Sequence, residues 1–284
     1  IDGNYAIVGV QSDDDPLNSG SAFIYNVNTG VKIRKLTASD AANGDLFGTS
    51  VAISGNYAIV GSLGDASYAG AAYIFDVTTG TEIHKLTADV PTNMDQFGIS
   101  VDIDGNYAIV GERYDDDGGT MSGSAYIFDV TTGNQLHKLI ANDSGANDEL
   151  GTSVAISGNY AIVGALYAED SGINRGFAYI FNVITGIQLH KLWSNVPNDS
   201  NYFGYRVAID GNYAIVGTPQ YSNAGVMKGS AYIFNVNTGT ELRKLTASDG
   251  ETSDRFGMSV AISGNYAIVG AYYDDDGGSN SGSA

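Results

Sequence analysis

Gly55-Asn56-Tyr57-Ala58-Ile59-Val60-Gly61 is one of six identical copies of a seven-residue string, which begin at Gly3, Gly55, Gly105, Gly158, Gly211 and Gly264. Successive copies start 52, 50, 53, 53 and 53 residues apart, a regularity that chance does not produce. Such a period fits propeller blades and exceeds the roughly 33 to 47 residues of common helical repeats.

The third copy shows what surrounds the string. Phe97-Gly98-Ile99-Ser100-Val101-Asp102-Ile103 precedes a tight Asp104-Gly105-Asn106 turn, then Tyr107-Ala108-Ile109-Val110-Gly111. A loop rich in Gly and Asp leads to Gly123-Ser124-Ala125-Tyr126-Ile127-Phe128-Asp129-Val130. Thr131-Thr132-Gly133 turns the chain into Gln135-Leu136-His137-Lys138-Leu139. β-branched and aromatic residues favour strands, and Gly, Asn, Asp and Thr supply turns. No segment has the spacing and caps of a helix.

Four short antiparallel strands per period, joined alternately by short turns and long loops, make one blade. The unbroken apolar runs Tyr-Ala-Ile-Val and Ala-Tyr-Ile-Phe suit strands covered on both faces. The expected fold is an all-β propeller of four-stranded antiparallel blades, about 53 residues each, forming one domain over 1–284. A sandwich is the alternative, but it leaves six copies of one strand at one spacing unexplained. Residues 262–284 repeat residues 1–22, so both ends fall mid-blade, and Ile1 reads as a cut within a longer protein. Seven blades of 53 residues need 371, so a fragment of a seven-bladed ring is favoured over a modified five- or six-bladed closure.

These residues resemble the FG-GAP repeat propellers, which include the integrin α-chain head and many bacterial surface proteins. The matching pairs are Phe47-Gly48, Phe97-Gly98, Phe203-Gly204 and Phe256-Gly257, with Leu150-Gly151 as the departure. Integrin-type repeats often carry an expanded calcium loop between strands 1 and 2. Here that turn is only Ser54-Gly55-Asn56 or its equivalent, with single acids at Asp2, Asp104 and Asp210. The chain therefore resembles the bacterial variant without those calcium sites. The resemblance implies ligand docking on the long-loop face.

Composition excludes several classes. There are 32 acids against 13 bases, a net charge of −19 that argues against gripping nucleic-acid phosphates. No apolar stretch spans a bilayer, and without cysteine there are no disulfides, thiolate zinc sites or cysteine nucleophiles. His84, His137 and His190 share one repeat position with Arg34 and Arg243, which marks them as architectural. The lysines one residue later lie on the blade edge, where Lys discourages edge pairing. Eight of the 13 bases lie on these strands, whereas 23 of the 32 acids lie in the long loops at the other end of the strand pattern.

The acidic loops have two readings. One is a solubilising face. The other is calcium, the one candidate cofactor, held by Asp13 and Asp15, Asp115 and Asp117, or Asp274 and Asp276, since calcium accepts six to eight oxygens in irregular geometry. Residues that break the repeat are the better candidates for a specific ligand site. Trp193, the only tryptophan, stands where other copies have Thr37, Thr87, Ile140 and Thr246, with Arg175, Tyr202, Tyr205, Tyr221 and Lys228 in the same two repeats. It could stack on a sugar or receive a partner side chain, or simply fill a gap between blades.

The first functional expectation is a non-catalytic extracellular or cell-surface adhesion module, binding a protein or glycan on the acidic long-loop face. A repeat protein assembling with copies of itself into a filament, sheath or stalk is the alternative. An enzyme ranks third, because no nucleophile elbow, zinc-spaced ligand set or phosphate loop is present.

Overall fold

The computed structural model describes residues 1–13, 18–170, 173–195, 202–219, 222–223, 226–278 and 280–284. The chain forms a series of antiparallel sheets. The first has three strands, β1 (Tyr5–Val10), β2 (Ser21–Asn26) and β3 (Lys32–Leu36). Two four-stranded sheets follow in simple up-and-down order. One comprises β4 (Phe47–Ser54), β5 (Tyr57–Ser62), β6 (Ala71–Asp76) and β7 (Glu82–Leu86). The next comprises β8 (Phe97–Asp104), β9 (Tyr107–Glu112), β10 (Ser124–Asp129) and β11 (Gln135–Leu139).

In the fourth sheet, β12 (Leu150–Ser157) and β13 (Tyr160–Ala165) continue through a loop hairpin, β14 (Glu169–Asp170) and β15 (Ile173–Asn174), into β16 (Phe177–Asn182) and β17 (Gln188–Leu192). The fifth repeats that plan with β18 (Arg206–Asp210), β19 (Tyr213–Thr218), the hairpin β20 (Ser222–Asn223) and β21 (Val226–Met227), then β22 (Ser230–Asn235) and β23 (Glu241–Leu245). A two-stranded sheet, β24 (Phe256–Ser263) and β25 (Tyr266–Ala271), ends the series. Helix among the described residues is confined to α1 (Asp65–Tyr68), where Ala66 (φ 50°) and Ser67 (φ 62°) are left-handed, so it is a loop turn rather than an amphipathic element.

Each core cluster draws on two successive sheets. Ile59, Ile74 and Leu86 of one sheet pack with Phe97, Val110 and Tyr126 of the next. Both faces of an inner sheet are therefore dry, which explains apolar runs without strict alternation.

The Phe-Gly pairs make the junctions. Phe47 is buried and meets Tyr73 and Phe75 edge-on, with centroids 5.5 and 5.9 Å apart, and Phe203 meets Phe234 in the same way at 5.9 Å. The following Gly48 has φ 94° and lies in a β-bulge between Phe47 and Ser50, against the main chain of the preceding sheet. A Cβ there would strike Ser21 O, so glycine is required by both dihedral and space. At the one departure, Leu150 shares its core cluster with Phe177, which replaces the Ser or Ala of the other copies. The missing ring at Leu150 is thus made good by an added ring at Phe177.

At the short-turn end, Asp2, Asp104 and Asp210 each accept a hydrogen bond from the turn glycine of the next sheet: Gly55 N at 2.6 Å, Gly158 N at 2.7 Å and Gly264 N at 2.6 Å. Ser54 and Ser157 play the same part for Gly105 and Gly211. These acids are staples between sheets.

β24 pairs with β25, and β1 with β2, so the first sheet is not completed by the C-terminal strand 1, as a five-bladed closure would require. The ends of the series are correspondingly open. Ile268 is 59% and Tyr266 83% exposed, whereas Ile59, Ile109, Ile162 and Ile215 are fully buried.

Candidate functional site

The two kinds of long loop pack at one end of the sheets. Gly64 N donates to Asp45 O, Tyr114 N to Asp95 O, Tyr167 N to Asp148 O and Tyr273 N to Asp254 O. The carboxylates of Asp45 and Asp148 also fold back on their own loops, accepting from Ala42 N (2.6 Å) and Gly145 N (2.7 Å). Asp45, Asp95, Asp148 and Asp254 are all buried. Recurrence in four of the five copies, with Asn201 in the other, and internal bonding make these acids architectural.

The strand-4 lysines also differ from expectation. They turn toward the acidic loops instead of only guarding an edge: Lys35 reaches Asp13 (3.0 Å), Lys85 reaches Asp40 (2.7 Å) and Asp65 (2.6 Å), and Lys191 reaches Asp143 (2.5 Å). Their stems cross the strand-3 aromatic rings, as Lys85 does at 5.3 Å from the Tyr73 centroid. The acidic face is thereby partly neutralised from within each sheet.

The same geometry bears on calcium. Asp115 and Asp117 both meet Lys138 Nζ, at 2.7 and 2.5 Å, so an ammonium already holds the point between them. Asp13 accepts from Ser21 Oγ besides its lysine, and Asp274 accepts from Ser283 Oγ at 2.6 Å and from Asp276 N. Asp15 lies outside the described residues. Among the described residues no three His, Asp or Glu side chains converge as a metal site. Millimolar calcium is expected to leave the thermal midpoint where EDTA leaves it; a calcium-dependent rise would show that the folded protein binds the cation.

The histidines bridge sheets. Nε2 of His84, His137 and His190 lies 3.0, 2.9 and 3.1 Å from the carbonyls of Thr131, Ile184 and Asn237, in the short turn of the following sheet. Arg34 does the same with Thr78 O.

Asymmetry collects elsewhere. A cavity of about 440 Å3 lies against the first strands of four sheets, walled by residues of β4, β8 and β12 and by Tyr205 and Arg206 at the start of β18. Its mouth, at the long-loop end, carries residues that break the repeat. Arg113 stands where other copies have Gln11, Leu63, Leu166, Pro219 and Tyr272, and Arg206 where they have serine. Arg113 donates to Gln96 Oε1 (2.8 Å), lies 3.9 Å from Glu149 and stacks on Tyr114 at 4.3 Å. Burial pushes the Glu149 carboxyl up despite Arg113. Arg206 stacks on Tyr205 at 4.7 Å, and Tyr167 meets Tyr202 edge-on at 5.2 Å.

Of the residues singled out in the sequence, the structure brings Tyr202 and Tyr205 to this mouth. Trp193 is 48% exposed beyond the outer strand β17, a sheet's width from the inner strands, about 14 Å by strand spacing. Arg175 contributes its carbonyl to Phe203 N, and its buried Nε has no hydrogen-bond partner among the described residues. Lys228 is bonded to Gly250 O at 2.6 Å, and Tyr221 lies outside the described residues.

Glu112, Arg113 and Glu149 were missed, although comparison between copies could have found them. Glu112 takes the place of Val10, Ser62, Ala165, Thr218 and Ala271. It is 1% exposed, accepts a 2.5 Å bond from Tyr126 Oη, and leaves Oε1 without a hydrogen-bond partner. Burial, with Asp115 and Asp95 adding like charge, pushes its carboxyl up to about 7.

A family model described as FG-GAP repeat matches residues 31–75, 81–128, 134–181, 187–234 and 240–284. The chain belongs to the FG-GAP repeat family. Each match starts at the last strand of one sheet and runs through the strands of the next, so one FG-GAP repeat straddles two sheets and ties them covalently. No curated protein matches the chain in sequence. No helix is long and apolar enough to cross a membrane, among the described residues.

Proposed function

We propose that this FG-GAP chain is a non-catalytic binding and adhesion module, working outside the cell or at its surface, that takes a protein or glycan on its long-loop face. The observation that carries the reading is the convergence of repeat-breaking Arg113, Glu149, Tyr205 and Arg206 on one cavity. Elsewhere the recurring acids, lysines and histidines bond to the fold itself. A cluster of repeat-breaking side chains at one mouth of a repetitive scaffold is where specificity is expected. Trp193 and Lys228 belong to the proposal as outer contacts for an extended partner, with Arg175 and Tyr202 behind them.

A second reading, in which copies stack end to end, draws on Ile268, which is exposed where inner sheets bury its equivalents Ile59, Ile109, Ile162 and Ile215. One set of measurements tests both. Against a panel of immobilised glycans and purified proteins, Arg206→Ser and Tyr205→Ala are expected to weaken any ligand found by roughly tenfold or more. His137→Gln, at the outer edge, is expected to leave it unchanged. Loss of the first reading would be signalled by binding indifferent to the mouth, together with sedimentation showing association that Ile268→Asp abolishes.

A further inference from the structure

We propose that the inner-strand cavity receives one uncharged sugar ring, the terminal residue of a glycan. This rests on the binding-module reading above and names its ligand.

The hydroxyls of Thr49, Ser50, Ser100 and Thr152 already donate to main-chain carbonyls, those of Leu46, Gly98, Gly151 and Glu149, at 2.7 to 2.8 Å. A hydroxyl has one hydrogen and two lone pairs, so what these groups have left to offer is acceptance. The Glu149 carboxylate adds to the same side. A ligand in contact with these four hydroxyls must therefore bring donors.

Charge narrows the class. An ammonium would supply donors but would enter a cavity whose lining includes the cationic Arg113 and Arg206. A carboxylate or phosphate would suit those arginines but would face Glu149 and the row of lone pairs. A neutral polyol escapes both conflicts, because each ring hydroxyl can donate to the wall and accept from an arginine. The rings of Tyr167 and Tyr205 at the mouth offer flat apolar area for the C–H face of a pyranose, with hydroxyls at their tips. A volume of about 440 Å3 lies in the range of about 300–1,000 Å3 typical of small-molecule sites.

Ligand-observed NMR on the whole chain tests this, with methyl glycosides of glucose, galactose, mannose, fucose and N-acetylglucosamine as probes, and glucuronate and glucosamine as charged comparisons. At least one neutral glycoside is expected to bind, with a Kd of about 1 mM or tighter. Arg206→Ser, which installs the residue of the other copies, is expected to weaken it roughly tenfold, and so is Tyr205→Ala. Trp193→Ala is expected to have no effect on these single rings. Tighter binding of glucuronate or glucosamine would overturn the proposal, as would glycoside binding that survives both mouth substitutions. If no glycoside binds while a larger ligand still depends on Arg206, the sugar inference falls and the binding-module reading stands. If nothing depends on the mouth, both fall.

Discussion

Glu112→Gln is expected to stabilise the protein by about 2 kcal/mol at pH 8 and to have little effect at pH 4.5. The Glu112 carboxyl is almost fully buried at the end of β9, and its ordinary value of 4.5 rises to about 7. Above pH 7 the folded protein holds a buried charge that the unfolded chain solvates, so the whole penalty is present. As pH falls from 7 to 4.5 the folded state binds the proton first and stability rises; below 4.5 both states are protonated and nothing more is gained. A shift of that size corresponds to about 3 kcal/mol at most. The Gln amide keeps an acceptor for Tyr126 Oη but needs a partner for its own NH2, which lowers the net gain. Asp95 and Asp102, both raised to about 6 by burial, act in the same direction between pH 6 and 3.8. Thermal melts across pH 4.5 to 8 should therefore show the wild-type protein gaining stability on acidification and Glu112→Gln showing a smaller slope. Equal slopes would mean that Glu112 titrates normally.

Gly164→Ala carries the largest expected loss, about 4 kcal/mol or more, enough to prevent that junction from forming. Gly164 lies mid-strand in β13, and a Cβ there would lie inside contact distance of Gly204 O in the next sheet. Neither partner can yield, since Gly164 is held in its ladder and Gly204 carries the left-handed φ of 88°. Two controls isolate the cause. Gly158→Ala has no neighbour within 4 Å and meets only the strain of φ 55°, about 1–2 kcal/mol. Gly270→Ala sits in the same seven-residue string as Gly164, but its nearest neighbour is the movable Ser259 Oγ, so a small effect is expected. Urea midpoints of the three variants check this; similar losses at Gly164 and Gly270 would mean that the neighbouring sheet is not the cause.

Much of the fold was legible because the six strings repeat a solution. The strand boundaries, the turn glycines and the architectural role of the histidines all follow from residues recurring at one position. The site was less legible. Tyr202 and Tyr205 stood out as repeat-breakers, but Arg113 and Glu149 come from different sheets, and only packing of successive first strands brings them together. Trp193 stood out equally, yet it follows the fourth strand, which is the outer edge of its sheet, and so lies far from the inner-strand cavity. The lysines were misjudged for a related reason: strand position places the Cα, while a four-carbon stem lets Nζ reach a loop acid such as Asp65.

By itself, the sequence determined the all-β class, the four-strand unit of about 53 residues and the end of the sheets at which acids gather. Period, alternation and turn chemistry are local properties, and local chemistry is all that identical strings share. Tertiary structure alone decided that Gly164 is crowded by main chain and Gly270 only by a side chain, that Ile215 is buried and Ile268 exposed, and that a loop carboxylate such as Asp115 pairs with Lys138. These outcomes depend on which sheet lies alongside, and identical strings cannot encode different neighbours.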